Sequence, residues 1–401
     1  MERAMKNPQI KKFKGLNNVE DPLRLGLSWL RKADNVLVTS SGALTRRDGY
    51  AKTYAATLLA GAYTTRDYRR CYAIDNGTLL RIYPDMTTGV LRTGLSNRDV
   101  FWTEVNEQVY FANGVDAGII TVQDTVLDWR WSKPGTPTLA AMTGKLDSGT
   151  YQVACTFVLP DGRETGACAS VTLDLPPNSA LQITGIPQQA GAKTRVYIAP
   201  ANSPVFQLAY EGNQTAVVWN TAPEWLGIEL LTHYSDPLPA RATMPVFWQG
   251  RMHAVEHFEA HNTSVVWRSE PLGFHLFPTS DNFIPVPGRI HMVAAHEDAL
   301  IIGTENAIYA FADDKLTELA DYGVVPGHHV ALQPSGDDRN KILFWSQRGV
   351  CRAMPFENLT EDQISVNCGL TAGGTLVHKD GQAHYIVALQ KGGDAFNPRS
   401  E

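Results

Sequence analysis

Four stretches of the chain repeat one local design, an apolar alternating run, a Gly- or Asn-containing turn and a second alternating run. They are CYAIDNGTLLRIYP from Cys71, QVYFANGVDAGIITVQ from Gln108, ALIIGTENAIYAFADD from Ala299 and KILFWSQRGVCRAMP from Lys341. Successive side chains of a strand point to opposite faces, so each stretch reads as a β-hairpin. The units are alike in shape and poor in shared sequence, and they recur at a period near the ~40–50 residues of propeller blades. The pattern predicts an all-β chain with a β-propeller of about five to seven blades. The 33 Gly and 23 Pro, spread among short apolar runs, fit many tight turns. The longest helical-looking stretch, Tyr54 to Ala62, is rich in Ala and Leu and too short to span a bilayer.

The texture changes between Pro134 and Asp236. KPGTPTLAAMTG opens the segment, GTYQVACTFVLPDGRETGACASVTLDL, LQITGIP and TRVYIAPANSPVFQLAYEG follow, and DPLPARA closes it. Short strands between Pro-rich joints are the pattern of an immunoglobulin- or fibronectin-like sandwich. The expected organisation is a first part of the propeller with an N-terminal strap over 1–133, an inserted sandwich over 134–236, and a second part with a C-terminal tail over 237–401. The sandwich's hairpin centres on Pro160-Asp161-Gly162-Arg163, where Gly supplies positive φ without steric cost. Residues 13–50 read as a strap that closes into a hairpin across Ser40-Ser41-Gly42, and the N-terminal strand is expected to complete the last blade.

Charge separates the two ends. Residues 1–50 hold ten Lys and Arg against five Asp and Glu, while the whole chain carries −6, so about −11 falls on the rest. A body of that sign repels nucleic acid rather than gripping its phosphates. In the basic lead, Lys6, Lys11, Lys12 and Lys14 accompany Phe13 and Leu16. We read these six as candidate partner-contact residues, an arm that orders against an acidic face of a neighbour. The first residues, MERAMKNPQIKKFKG, contain no apolar stretch of a secretory signal, and no membrane segment is expected, which predicts assembly in the cytosol. Cys71, Cys155, Cys168, Cys351 and Cys368 form no CxxC and read as small buried residues, with Cys155 and Cys168 facing each other across the Asp161-Gly162 turn.

Motifs that carry chemistry are few. His253-Ala254-Val255-Glu256-His257 spells H-x-x-E-H, which binds zinc only when a helix sets its histidines on one face. The flanks MPVFWQGRM and FEAHNTSVVWRSEP are strand-like, and on a strand the two Cα atoms stand roughly 13 Å apart. No catalytic, cofactor-binding or metal-binding residue is therefore expected. The chain has no GxxxxGK[ST], no GxGxxG after a strand and no GxSxG. Ser280-Asp281 is a single Ser-Asp without the repeats of sialidase-type propellers, and carboxylate separation for a glycosidase is not legible in a sequence. The N-x-[ST] triplets at Asn76, Asn213, Asn262 and Asn358 read as chance matches, and the nine Trp as packing residues. A receptor- or glycan-binding propeller and a hydrolase remain as rival classes.

Segments along most of the chain resemble one family. GLNN at 15–18, ADNV at 33–36 and RRDGY at 46–50 follow the order of its opening, and VYFANGVDAG resembles its recurring F-x-N-G-V-D turn. TYQVACTFVLPDGRETG and TRVYIAPAN resemble its sandwich strands, while FWQGRMHAV, SVVWRSEP, FIPVPGRI and ALIIGTENAIYAF resemble its later propeller half. The family is that of the stabilisation or tail-hub proteins, also called nozzles, of short-tailed bacteriophages. The resemblance implies a structural virion protein, a head-tail connector element and not an enzyme, without cofactors. It implies a homo-oligomeric ring of about six copies beneath the portal and adaptor. Such a ring continues the DNA channel and helps close it until ejection; it sits in the virion tail after assembly in the host cytoplasm. An electronegative body suits the passage of a genome, since lumenal cations would retard it.

Overall fold

The computed structural model describes residues 10–49, 51–327, 329–332, 341–379 and 382–390. The fold is all-β and of the β-propeller type. Its repeating element is a four-stranded antiparallel meander, of which the described residues hold five, each with strands in chain order. The described residues contain no α-helix, only two 3-10 turns at Pro223–Trp225 and Glu259–His261. The chain divides into two compact units, residues 57–258 with 265–286, and residues 1–56 with 259–264 and 287–401. Residues 134–236 lie within the first of these units.

In the first of these units, meander one comprises Leu59–Thr64, Cys71–Asp75, Thr78–Ile82 and Thr88–Arg92. Meander two comprises Phe101–Val105, Gln108–Ala112, Ala117–Ile120 and Val126–Asp128. Meander three, all but its residues 263, 264 and 287 in this unit, comprises Thr243–Trp248, Arg251–Phe258, Thr263–Arg268 and Phe283–Pro287. Meander two is apolar on both faces because a sheet lies against each of them. Tyr72, Ile74 and Leu79 of meander one share a core with Val109, Phe111 and Ile120 of meander two. The opposite face of meander two, with Tyr110, Ala112 and Ile119, shares a core with Met252 and Ala254 of meander three. Two-sided burial explains why the middle strands of meander two read as nearly continuous hydrophobic runs.

The turns follow the strand twist. Asp75 pairs with Thr78 across Asn76-Gly77, both with positive φ (48° and 71°), the I′ geometry that Asn-Gly favours. Asn106-Glu107 and Gln249-Gly250 turn the same way. The expected helical stretch at Tyr54 to Ala62 is corrected by the structure: Leu59–Thr64 is an edge strand paired with Cys71–Asp75. Ala60 is buried in the core between meanders one and two, and that burial outweighs the weak helical preference of Ala and Leu.

Between meanders two and three lie two further sheets. Thr138–Leu146, Ser179–Thr184 and Ala216–Trp219 form one, with Ser179–Thr184 central; Val171–Leu175, Gly149–Val158, Lys193–Ala199 and Gln207–Gly212 form the other in that order. They close on one core, in which Leu181, Ile183 and Trp219 meet Tyr151, Val153, Cys155, Val196 and Ile198.

The other unit holds meander four (Ile290–Ala295, Leu300–Thr304, Ile308–Ala312, Lys315–Ala320) and meander five (Val330–Leu332, Lys341–Ser346, Gly349–Ala353, Glu357–Asn358). Met292, Ile301 and Ile308 of the one pack on Ile342, Phe344 and Cys351 of the other. A terminal hairpin, Thr371–Lys379 with Gln382–Gln390, follows. The strap forms a parallel pair, Gly15–Leu16 with Trp29–Leu30, and a hairpin, Val36–Val38 with Leu44–Arg46. The N-terminal strand does not complete the last sheet. Its ladder groups are taken by Trp29–Leu30, and Asn18 instead bonds the loop ahead of the terminal hairpin, through Gln363 O (3.0 Å), Ser365 O (2.8 Å) and Ser365 N (2.8 Å).

Candidate functional site

The sandwich hairpin at 158–168 sits where two clefts open. Its turn closes through Gly162 N to Leu159 O (2.9 Å) and Leu159 N to Arg163 O (2.8 Å), while Asp161 Oδ1 accepts the Arg163 amide (3.1 Å). Arg163 then spans outward: Nε donates to Asp161 Oδ2 (2.8 Å) and Nη2 to Asp128 O of meander two (2.7 Å). Beneath it Trp131, Phe157, Leu159, Ala192 and Leu276 form a small shared core. Trp131 Nε1 donates to His275 O (2.7 Å), and His275 Nε2 lies 2.8 Å from Glu164 O. Gly166 completes the clamp, because a Cβ there would overlap Ser235 O and press on the Trp131 ring. Sequence reading located the turn and missed the clamp, since nothing in PDGRETG names the residues on which it closes.

One cleft, of about 280 Å³, is lined by Asn106, Gln108, Tyr110, Asp161, Arg163 and His275. The other, of about 320 Å³, is lined by Arg92, Asp128, Arg130, Trp131, Asp161 and Arg163 among others. Two ion pairs lie along them. Arg92 pairs with Asp128 at 2.9 Å and Arg163 with Asp161 at 2.7 Å. Burial raises the Asp161 carboxyl, but hydrogen bonds and charge from Arg163 outweigh it and hold the group below the usual carboxylate range. Burial pushes His275 below the ordinary histidine value, so it is neutral at pH 7. Nearby Glu164 accepts from Thr156 Oγ1, Arg195 Nη1 (both 2.6 Å) and Tyr197 OH (2.7 Å). Such pairing fixes one sheet against another.

A second knot joins meanders two and three at Asn113-Gly114-Val115-Asp116. Asn113 Oδ1 accepts the amides of Val115 (3.0 Å) and Asp116 (2.6 Å), and Asp116 Oδ2 accepts Ser96 N (2.8 Å) and Oγ (2.6 Å). Gly114 N donates to Ala242 O (3.1 Å) and Arg130 Nη1 to Val115 O (2.7 Å).

The H-x-x-E-H residues lie on the second strand of meander three. His253 is buried against Trp248, ring centroids 5.8 Å apart, and burial, with Arg268 adding to it, lowers its pKa to about 4. Glu256 Oε1 accepts from Arg241 Nε (3.0 Å) and Oε2 from Trp267 Nε1 (3.1 Å). Among the described residues no three His, Cys, Asp or Glu gather as metal ligands, and no helix is long and apolar enough to cross a membrane. All five cysteines are free; Cys155 N lies 3.2 Å from Cys168 Sγ across the hairpin.

The candidate partner-contact residues are brought together only in part. Phe13 N donates to Gly42 O (2.8 Å), Lys14 N to Ser28 O (2.9 Å), and Lys14 Nζ stands 5.9 Å from the Trp29 ring. Leu16 pairs with Leu30, Lys11 and Lys12 are exposed, and Lys6 lies outside the described residues. Sequence reading also missed a second exposed feature. Eight of the nine tryptophans are buried or half-buried as expected, but Trp225 is 77% exposed, beside Ile228, Leu231 and Tyr234 at 61%, 85% and 79%.

No protein-family model matches the chain, and no curated protein matches it. Among solved structures, a streptogramin B lyase is 11% identical, covering 82% of this chain and 90% of its own, with a TM-score of 0.35. Virginiamycin B lyase from Staphylococcus aureus is 12% identical, covering 80% and 88%, at 0.32. A protein from Lactobacillus plantarum is 14% identical, covering 84% and 92%, at 0.28. At such scores nothing about substrate or activity passes from these proteins to this chain.

Proposed function

We propose that this chain is a structural protein of a short-tailed bacteriophage tail and not an enzyme. Copies of it, about six, form a hub or nozzle ring below the portal and adaptor that continues the DNA channel and helps close it until ejection. The sheets at 138–219 are, on this reading, an inserted domain of the immunoglobulin or fibronectin kind. One observation carries the proposal. Two of the motifs through which the chain resembles the tail-hub family, FANGVD and PDGRETG, supply the Asn113–Asp116 knot and the Arg163 and Gly166 clamp that tie successive sheets together. Likeness at such positions supports a shared framework, because those residues have little freedom to drift. The acidic body supports a channel through which phosphates pass without adhering.

The test is stoichiometry. Native mass measurement of the purified full chain, and quantitation of the chain in purified virions, should both give one closed ring per tail. A chain that is monomeric alone and absent from virions would overturn the proposal.

A further inference from the structure

We propose that residues 222–235 form a self-association ridge that receives the basic strap of a second copy of this chain. This rests on the ring reading and names the faces that would build the ring. The segment is held in place: Leu208 N donates to Ile228 O (2.9 Å), Gly227 N to Leu208 O (2.7 Å) and Leu230 N to Phe206 O (2.9 Å), so it runs along the sheet edge at Gln207–Gly212. Leu226 and Leu230 turn into the sandwich core. Trp225, Ile228, Leu231 and Tyr234, at every third position, stay outside it with more than half of their surface open. Large apolar side chains on a fixed backbone, left in solvent, mark an interaction surface rather than a loop in search of a fold.

Charge selects the occupant. The ridge carries Glu224 and Glu229, both exposed, and neither makes an ion pair with a described residue. The strap at 10–31 offers the complement within the same sequence. It carries Lys11, Lys12, Lys14, Arg24 and Arg31 against Glu20 and Asp21, and exposes Leu23 at 94%, Leu27 at 63% and Ile10 at 46%. An acidic apolar ridge and a basic apolar strap on one chain make a heterologous contact, ridge of one copy to strap of the next, which repeats until the rotation closes a ring.

The experiment uses the full chain. Trp225→Ser with Leu231→Ser should lower the association constant about a hundredfold and leave the fold intact by circular dichroism. Glu224→Lys with Glu229→Lys should weaken it less, and more visibly at low salt. Reversing the strap in that same chain, Lys11→Glu, Lys12→Glu and Lys14→Glu, should restore assembly. Rings that form normally from the Trp225→Ser, Leu231→Ser chain would overturn the ridge and leave the ring reading standing. A wild-type chain monomeric in solution and in virions would overturn both. A wild-type chain monomeric alone, whose ridge variant fails to enter otherwise ring-bearing virions, would assign the ridge to another tail protein and overturn the second copy as its occupant. Failure of the charge swap to restore assembly would overturn the strap as the complement.

Discussion

The sandwich has two contrasting margins. At the 158–168 hairpin, charged and aromatic groups bond within the chain: Arg163 to Asp161 and Asp128 O, Trp131 to His275 O, His275 to Glu164 O. At 222–235 the backbone is equally well tied, yet four large apolar side chains stay in solvent. The difference teaches how the two margins are used. Groups that are spent internally set the angle between sheets, and groups left unspent are available to another molecule.

The contrast can be broken at its strongest point first. Trp131→Ala removes a buried ring from the shared core together with its bond to His275 O, and should cost about 3–5 kcal/mol in chemical denaturation. A loss below about 1 kcal/mol would mean the junction is loose. Gly166→Ala drives a Cβ into Ser235 O and should cost about 2–3 kcal/mol, since backbone on both sides must shift. Unchanged stability there would refute the clamp.

A pH experiment sharpens the same comparison. His275 has a folded pKa below its unfolded value of about 6.5, so the unfolded chain binds the extra proton as pH falls through that value. The neutral side chain therefore contributes stability above about pH 6.5, lost progressively as pH falls toward the depressed folded pKa. His253, lowered to about 4, acts in the same direction between about 6.5 and 4, so the informative quantity is the difference between wild type and His275→Gln. That variant should show a shallower acid loss. Equal slopes would remove His275 from the account.

The smallest effects on folding belong to the ridge. Trp225→Ser and Leu231→Ser should each change unfolding stability by no more than about 0.5 kcal/mol, because the side chains touch little within the chain. A cost above about 2 kcal/mol in the isolated chain would show that the ridge packs internally, and the two margins would then be alike.

Much of the fold was legible before any coordinates. The four hairpins at Cys71, Gln108, Ala299 and Lys341 stand where their alternating runs put them, because period two and an Asn- or Gly-bearing turn are local properties of adjacent residues. The strand that carries His253 and His257 was legible from its neighbours for the same reason. The edge strand at Leu59–Thr64 was not, since its Ala and Leu residues prefer a helix until another sheet covers Ala60. Nor was the route of the strap, whose strand found a partner in Trp29–Leu30 rather than completing the last blade.

What the sequence determined by itself was the repeating β-hairpin, the change of texture at 134–236 and the opposition between a basic lead and an acidic body. Those follow from residue order and composition alone. Only the tertiary structure decided that Gly166 must lie against Ser235, that Asp116 ties Ser96 to Asn113, and that Leu226 and Leu230 turn inward while Trp225 and Leu231 do not. Each depends on groups far apart in the chain, and contacts of that kind carry no periodic signature, because they are set by how sheets stack and not by how strands are spelled.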